Sequence, residues 1–193
     1  MLKYDIKWQE LLFMALIALV MFPLDSRADT LLGKVVGVTD GDTATVLDSD
    51  NRQHEIRLFA IDAPETSCHA KKPSAYDDSC TETSQPFGKA AKKSLASMIF
   101  GQQVHVELQP GDSYSREVGT IWVGNLNANL EQVRRGYAWM WRQYAKRGMS
   151  AEEFHEMEEA EKSAKDHKLG LWQDTNPQPP WGFRHLGGGY HGG

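Results

Sequence analysis

The stretch LLGKVVGVTDGDTATVLDSDNRQHEIRLFAI, residues 31–61, decides the fold. It divides into three short segments rich in Val, Ile, Leu and Thr: Leu31 to Val38, Thr43 to Leu47 and Glu55 to Ile61. Gly41 sits in the first break, and Asp48-Ser49-Asp50-Asn51 fills the second. That is hairpin chemistry, so the spacing predicts three antiparallel strands in a meander. Downstream, Gln85 to Phe100 switches to helical spacing, with Phe87, Ala91, Leu95 and Met98 on one stripe, Ser84 as the N-cap and Gly101 as the stop. Two more strands are expected at Val104 to Leu108 and Val118 to Val123, and a short helix from Asn129 to Arg135 that Gly136 ends. A third helix has the clearest start: Ser150 and Glu153 have capping-box spacing, Phe154, Met157 and Ala164 fall on one face, and Gly170 ends it. Its acidic run reads as a solvated face, with Glu158–Lys162 and Glu161–Lys165 as ordinary i,i+4 pairs.

The order β-β-β-α-β-β-α-α with short strands predicts an α+β domain built on a small closed barrel of the OB type. Composition agrees with one globular domain: the chain has 193 residues, 40% hydrophobic and 24% charged. Disorder and fibrous repeats are excluded. Lys and Arg total 21 against 26 Asp and Glu, a net charge of −5, so no general basic surface draws the chain to nucleic acid. Local lysines, Lys71, Lys72, Lys89, Lys92 and Lys93, offer either substrate attraction or plain solubility.

Residues 1–28 read as a secretory signal. Lys3 and Lys7 precede an uncharged run from Leu11 to Leu24, followed by Ser26-Arg27-Ala28 with small residues where signal peptidase cuts. As a helix the run spans about 21 Å, short of the roughly 30 Å of a hydrocarbon core. Cleavage after Ala28 is expected, giving a secreted or periplasmic monomer with no stable membrane association. The globular domain is then 29–175. Residues 176–193 form an extended strap carrying Pro177, Pro179, Pro180, Trp181 and Phe183, with a flexible glycine-rich tail. In an oxidising compartment Cys68 and Cys80, twelve positions apart in a polar loop, read as a disulfide worth about 3 kcal/mol on the chain-entropy model.

Three charged clusters lie at or near element ends. Asp40-Gly41-Asp42-Thr43 brings two carboxylates close, as oxygen-seeking cations prefer, although taken alone it reads as a solvated turn. In Arg57-Leu-Phe-Ala-Ile-Asp-Ala-Pro-Glu65 an arginine lies inside an apolar strand and two carboxylates follow it, which reads either as an ion pair with Glu65 or Asp62 or as part of a shared site. A straight strand would hold Arg57 and Asp62 about 16 Å apart. A common site therefore requires a bend or bulge near Ala60, while Pro64 ends the ladder and puts Glu65 in a loop. The third cluster, Asp112-Ser-Tyr-Ser-Arg116, adds a second arginine beside an aromatic. Two guanidiniums repel unless an anion joins them, and a phosphate matches their bidentate fork.

These segments resemble the staphylococcal nuclease, or thermonuclease, family. The matching stretches are Val38-Thr-Asp-Gly-Asp-Thr43, Arg57 to Glu65, Gln85-Pro-Phe-Gly-Lys-Ala90, Asp112 to Arg116, Asn129 and Gly136-Tyr-Ala-Trp139, in register from about Leu31 to Tyr144. Gly170-Leu-Trp172 and Pro179-Pro-Trp181 resemble the ending of its secreted bacterial members. The resemblance implies a five-stranded OB barrel with three helices and a Ca²⁺-dependent phosphodiesterase acting on DNA and RNA, cutting the P–O5′ bond. It implies Asp42, Asp62 and the Ala63 carbonyl as metal ligands, and Arg57, Glu65 and Arg116 as catalytic. The chain departs from the family at Ser113 and Ser115, at Ala63 and at Arg142, the last standing where relatives often have a stacking tyrosine. Tyr114, Trp141 and Tyr144 are then the candidate base-stacking residues, although Tyr114 and Trp141 serve equally as packing at the barrel mouth. The alternative is a non-catalytic OB module that binds single strands. The intact Arg57, Glu65, Arg116, Asp42 and Asp62 set favours the enzyme, because a binder needs no water-activating carboxylate.

Overall fold

The computed structural model describes residues 29–66, 85–110 and 117–186. The expected signal segment, Cys68 and Cys80, Ser84, the Asp112–Arg116 cluster with Tyr114, and the glycine-rich tail lie outside the described residues.

Strands β1 (Thr30–Val38), β2 (Thr43–Leu47) and β3 (Gln53–Leu58) form the expected meander. After a two-residue strand β4 (Ile61–Asp62) and helix α1 (Gly88–Ile99), strands β5 (Gln103–Leu108) and β6 (Glu117–Val123) extend the sheet on the other side of β1. Parallel pairing of β3 with β6, Ile56 opposite Glu117 and Leu58 opposite Gly119, closes the barrel. Closure leaves these five strands with no free edge between β3 and β6. The alternating side chains that point inward, among them Val35, Val46, Ile56, Leu58, Val106 and Ile121, are buried and meet Leu95 and Ile99 of α1. Beyond β6 come β7 (Leu126–Asn127), helix α2 (Ala128–Arg134), β8 (Trp139–Met140), helix α3 (Arg142–Gly148), helix α4 (Ala151–Asp166), a 3₁₀ turn at Gly170–Gln173 and helix α5 (Pro180–Leu186).

The three expected helices are present, with local differences. The residue capping α1 is Phe87, in the left-handed region at φ 68° and without a side-chain cap. Helix α2 starts earlier than expected because Asn127 caps it, its side chain accepting from the Leu130 amide. Helix α4 has the full capping box at Ser150 and Glu153 but stops at Asp166, short of Gly170. Two short helices are added: α3, which follows Trp141 without a side-chain cap, and α5, which replaces part of the expected extended strap. Pro180 at the first helical position explains α5, since its fixed φ suits a helix start and its missing N–H is not needed there.

The acidic face of α4 is not wholly solvated. Glu161 is 1% exposed and accepts from the Met140 amide at 3.0 Å, Arg142 at 2.8 Å and Lys165 at 2.8 Å. Burial works against its charge, but Lys165, Arg142 and the Met140 N–H outweigh it and hold the carboxyl below its ordinary range. Lys162 pairs with Asp166 rather than Glu158, and Glu158 meets Arg142.

Candidate active site

Strand β3 stops at Leu58, three residues before the expected Ile61, because the chain turns at Phe59-Ala60. Ala60 has φ 62°, the bend that a shared site for Arg57 and Asp62 requires. The turn is pinned on three sides. The Phe59 amide donates to Gly119 O at 2.8 Å, the Trp141 amide donates to Ala60 O at 2.7 Å, and buried Asn129 donates to Phe59 O and Gly119 O while accepting from the Ile121 amide. Past the bend, Ile61 and Asp62 pair with Met140 and Trp139 of β8, the strand that Glu161 braces from behind.

The bend folds Asp62 back onto Arg57, whose Nη2 donates to Asp62 Oδ1 at 2.8 Å. Nη1 of the same guanidinium donates to Asp42 Oδ1 at 2.9 Å. Asp42 Oδ2 accepts from the Ala63 amide at 2.8 Å, so the two acidic segments are tied directly. The Asp40-Gly41-Asp42 stretch is therefore no solvated turn. Gly41 lies so close to Ala63 and Ala91 that an added Cβ would sit 2.6 Å from each of their Cβ atoms, and its carbonyl accepts from buried Gln132. Burial pushes the Asp42 carboxyl up to about 8; Arg57 pulls it down, while Asp40 and Asp62 push the same way as burial. Burial also opposes the charge of Arg57, but Asp42 and Asp62 outweigh it and hold the guanidinium protonated.

Glu65 is placed by the Gln85-Pro-Phe-Gly segment. Gln85, itself buried, accepts from the Glu65 amide at 3.1 Å through its side chain and donates its own amide to Glu65 O at 2.9 Å. Gly88 follows because α1 begins against this loop: a Cβ there would collide with the Glu65 carbonyl. On the other flank, Trp141 and Tyr144 meet edge to face at 4.6 Å, and the Arg57 guanidinium lies 6.0 Å from the Trp141 ring. Of the two expected stacking residues on α3 and its cap, Trp141 thus stands beside Arg57 and Tyr144 packs on Trp141, 37% exposed. Arg142 points away, held by Glu161 and Glu158.

One residue of this cluster was not expected from sequence. Arg184 of α5 donates to Asp62 Oδ1 at 3.1 Å, to Asp62 Oδ2 at 2.7 Å and to Glu65 Oε1 at 2.5 Å. Those two acids hold its guanidinium protonated despite partial burial. Its sequence neighbourhood, aromatic and proline-rich, signals packing rather than chemistry, and 122 residues separate it from Asp62.

Among the described residues no group of three or more His, Cys, Asp or Glu is gathered as a ready metal cage. What the cluster offers is two buried carboxylates, Asp42 at 3% and Asp62 at 0% exposure, with only oxygen donors. That donor set suits a hard divalent cation that completes its shell with carbonyls, water and a substrate oxygen. The closed barrel thus gathers carboxylates that could hold a cation and arginines that could hold an anion.

The comparisons place the chain in a family with this architecture. The family model described as "Staphylococcal nuclease homologue" matches residues 55–174, and the chain belongs to that family. It is 35% identical over 164 residues to a micrococcal nuclease of Shigella flexneri, covering 79% of each chain. It is 34% identical over 163 residues to Protein ParB of Escherichia coli, covering 80% of this chain and 79% of that one. An uncharacterized endonuclease of Haemophilus influenzae is 31% identical over 151 residues, 78% of this chain and 71% of that one.

Proposed function

We propose that this protein is a Ca²⁺-dependent nuclease that hydrolyses phosphodiester bonds of DNA and RNA with little sequence preference. Family membership and relatives named as nucleases and endonucleases support the class of reaction. The observation that carries the reading is the convergence at one barrel mouth of Asp42, Arg57, Asp62 and Glu65, with Arg57 donating to both aspartates. A structural ion pair would need one acid; here two aspartates share the Arg57 guanidinium beside the Trp141–Tyr144 pair.

Asp42, Asp62 and the Ala63 carbonyl would hold the Ca²⁺ ion. When bound it supplies positive charge to a nonbridging phosphate oxygen. Arg57 binds the diester and stabilises the more negative transition state, a role comparable with arginine fingers worth roughly 10³ to 10⁵ in rate. Glu65, fixed through its backbone by Gln85, orients and deprotonates the attacking water, which general-base catalysis rewards by about 10² to 10⁴. Arg116, together with Tyr114, would act from outside the described residues as the second guanidinium and a base contact. Trp141 and Tyr144 give neighbouring bases a face to stack on, about 1 to 3 kcal/mol per base, and Arg57 itself is oriented by Trp141. Cleavage at the P–O5′ bond, export after Ala28 and a Cys68–Cys80 bridge belong to the same reading.

The test is digestion of single-stranded and duplex DNA and of RNA with millimolar Ca²⁺, for wild type beside Glu65→Gln. Wild type should degrade all three and stop with chelator, and Glu65→Gln should keep the fold and lose at least about 10²-fold in rate. A wild type that binds but never cuts would point to the single-strand-binding module instead.

A further inference from the structure

Two of the carboxylates assigned above, Asp62 to the metal and Glu65 to water, are already occupied by a side chain from the far end of the protein. Asp62 Oδ1 accepts from both Arg57 and Arg184, and Oδ2 accepts from Arg184 at 2.7 Å. The same Arg184 reaches Glu65 Oε1 at 2.5 Å. Two acids are thus covered by two guanidiniums, and the Arg184 contacts are the charge-assisted, fork-like type that suits carboxylates best.

Arg184 does not belong to the barrel. It stands on α5, a seven-residue helix. Trp181 meets Trp139 edge to face at 6.2 Å, and Gln85 donates to Gln178 O at 2.5 Å. Trp139 is the β8 residue paired with Asp62 of β4, so the helix is docked beside the acid it neutralises. Arg57, by contrast, is built into β3 and cannot leave.

We infer that Arg184 is a tethered cation that holds Asp62 and Glu65 in the metal-free protein and must withdraw from Asp62 for a divalent ion to bind, which makes α5 a latch on the active site. The inference rests on the metal assignment proposed above. Its chemistry is competition for the same oxygens: an ion seeking Asp62 meets a carboxylate whose two oxygens are both engaged, and an ion added with Arg184 still in place would stand against two guanidiniums. Withdrawal also takes the Arg184 guanidinium away from Glu65 Oε1. Metal binding and release of the helix are then one linked equilibrium, in which anything that loosens α5 strengthens the metal.

Calorimetric titration of Ca²⁺ into chelator-stripped protein tests this without measuring activity. Wild type is compared with Arg184→Gln, with Trp181→Ala and with Asp62→Asn. Losing a charge-assisted competitor should tighten Ca²⁺ binding by about tenfold or more in Arg184→Gln. Trp181→Ala keeps every charge and only loosens the helix, so tighter binding there separates a latch from a general loss of positive charge. Asp62→Asn should abolish the binding. Affinity in both Arg184→Gln and Trp181→Ala equal to or weaker than wild type overturns the latch while leaving the metal site standing. Tightening in Arg184→Gln alone overturns the latch in favour of simple charge repulsion. No Ca²⁺ binding to any of the proteins, or full binding to Asp62→Asn, overturns the metal assignment and the latch together.

Discussion

Replacing Glu161 with glutamine removes the brace behind Asp62 without changing the shape of the side chain. The carboxylate is 1% exposed and holds three donors: the Met140 amide, Arg142 and Lys165. Glutamine keeps one oxygen for Met140 but turns an NH₂ group toward two cations. A hydrogen bond to a charged group is worth about 1.5 to 3 kcal/mol. Arg142 and Lys165 are 46% and 42% exposed, so both can return to water and the full value of two such bonds is not lost. The expected cost is about 2 kcal/mol, read by urea unfolding at pH 7. The pH dependence has a definite sign. Because the folded carboxyl lies below its ordinary 4.5, the stabilisation is complete above that value and is lost as pH falls through the lower folded one. The gap between wild type and variant should therefore shrink toward acid. A cost under about 0.5 kcal/mol at pH 7, or a gap that stays constant down to pH ~3, would refute the assignment of Glu161 as a charged brace.

Two further outcomes follow from the same geometry. Gly88→Ala drives a Cβ into the Glu65 carbonyl, so it should cost about 1 to 3 kcal/mol in thermal or urea unfolding and cut turnover by displacing Glu65; unchanged turnover would show that the loop yields freely. His54 joins Asp48 at 3.0 Å to Glu117 at 2.9 Å across the closing strands, and the hydrogen bond to Asp48 leads in raising its pKa above 6.5. Its contribution is full below 6.5 and fades as pH rises through the raised value, so His54→Gln should lower the melting temperature more at pH 6 than at pH 9. An equal drop at both would assign His54 a packing role only.

The parts of the site legible in the sequence are those encoded within a few residues. The distance between Arg57 and Asp62 on a straight strand demanded a bend near Ala60, and the left-handed φ is there. Ser150 and Glu153 cap α4 because a capping box is a three-residue code. Gly41 was visible as a turn residue and Gly88 as a motif member; the packing that requires them, against Ala63 and Ala91 in one case and the Glu65 carbonyl in the other, comes from elements brought together by the fold. Glu161 was misread for the same reason. Its i,i+4 partner Lys165 is local, but its burial comes from β8 and from Arg142, nineteen residues away. Helix α3 has no cap signal to announce it. Arg184 had no local signal either, since its partners lie 119 and 122 residues back in the chain.

That separation dictates the order in which the site can be made. All of its acids lie between residues 42 and 65, while the groups that brace or neutralise them from outside, at Trp139, Glu161 and Arg184, belong to the last third of the chain. A polypeptide emerging from the ribosome thus carries its carboxylates and Arg57 long before it carries the groups that brace them from outside, and contacts of this range are slow to form. A nascent fragment shorter than about 160 residues lacks Glu161, the side chain that accepts from the Met140 amide behind Asp62.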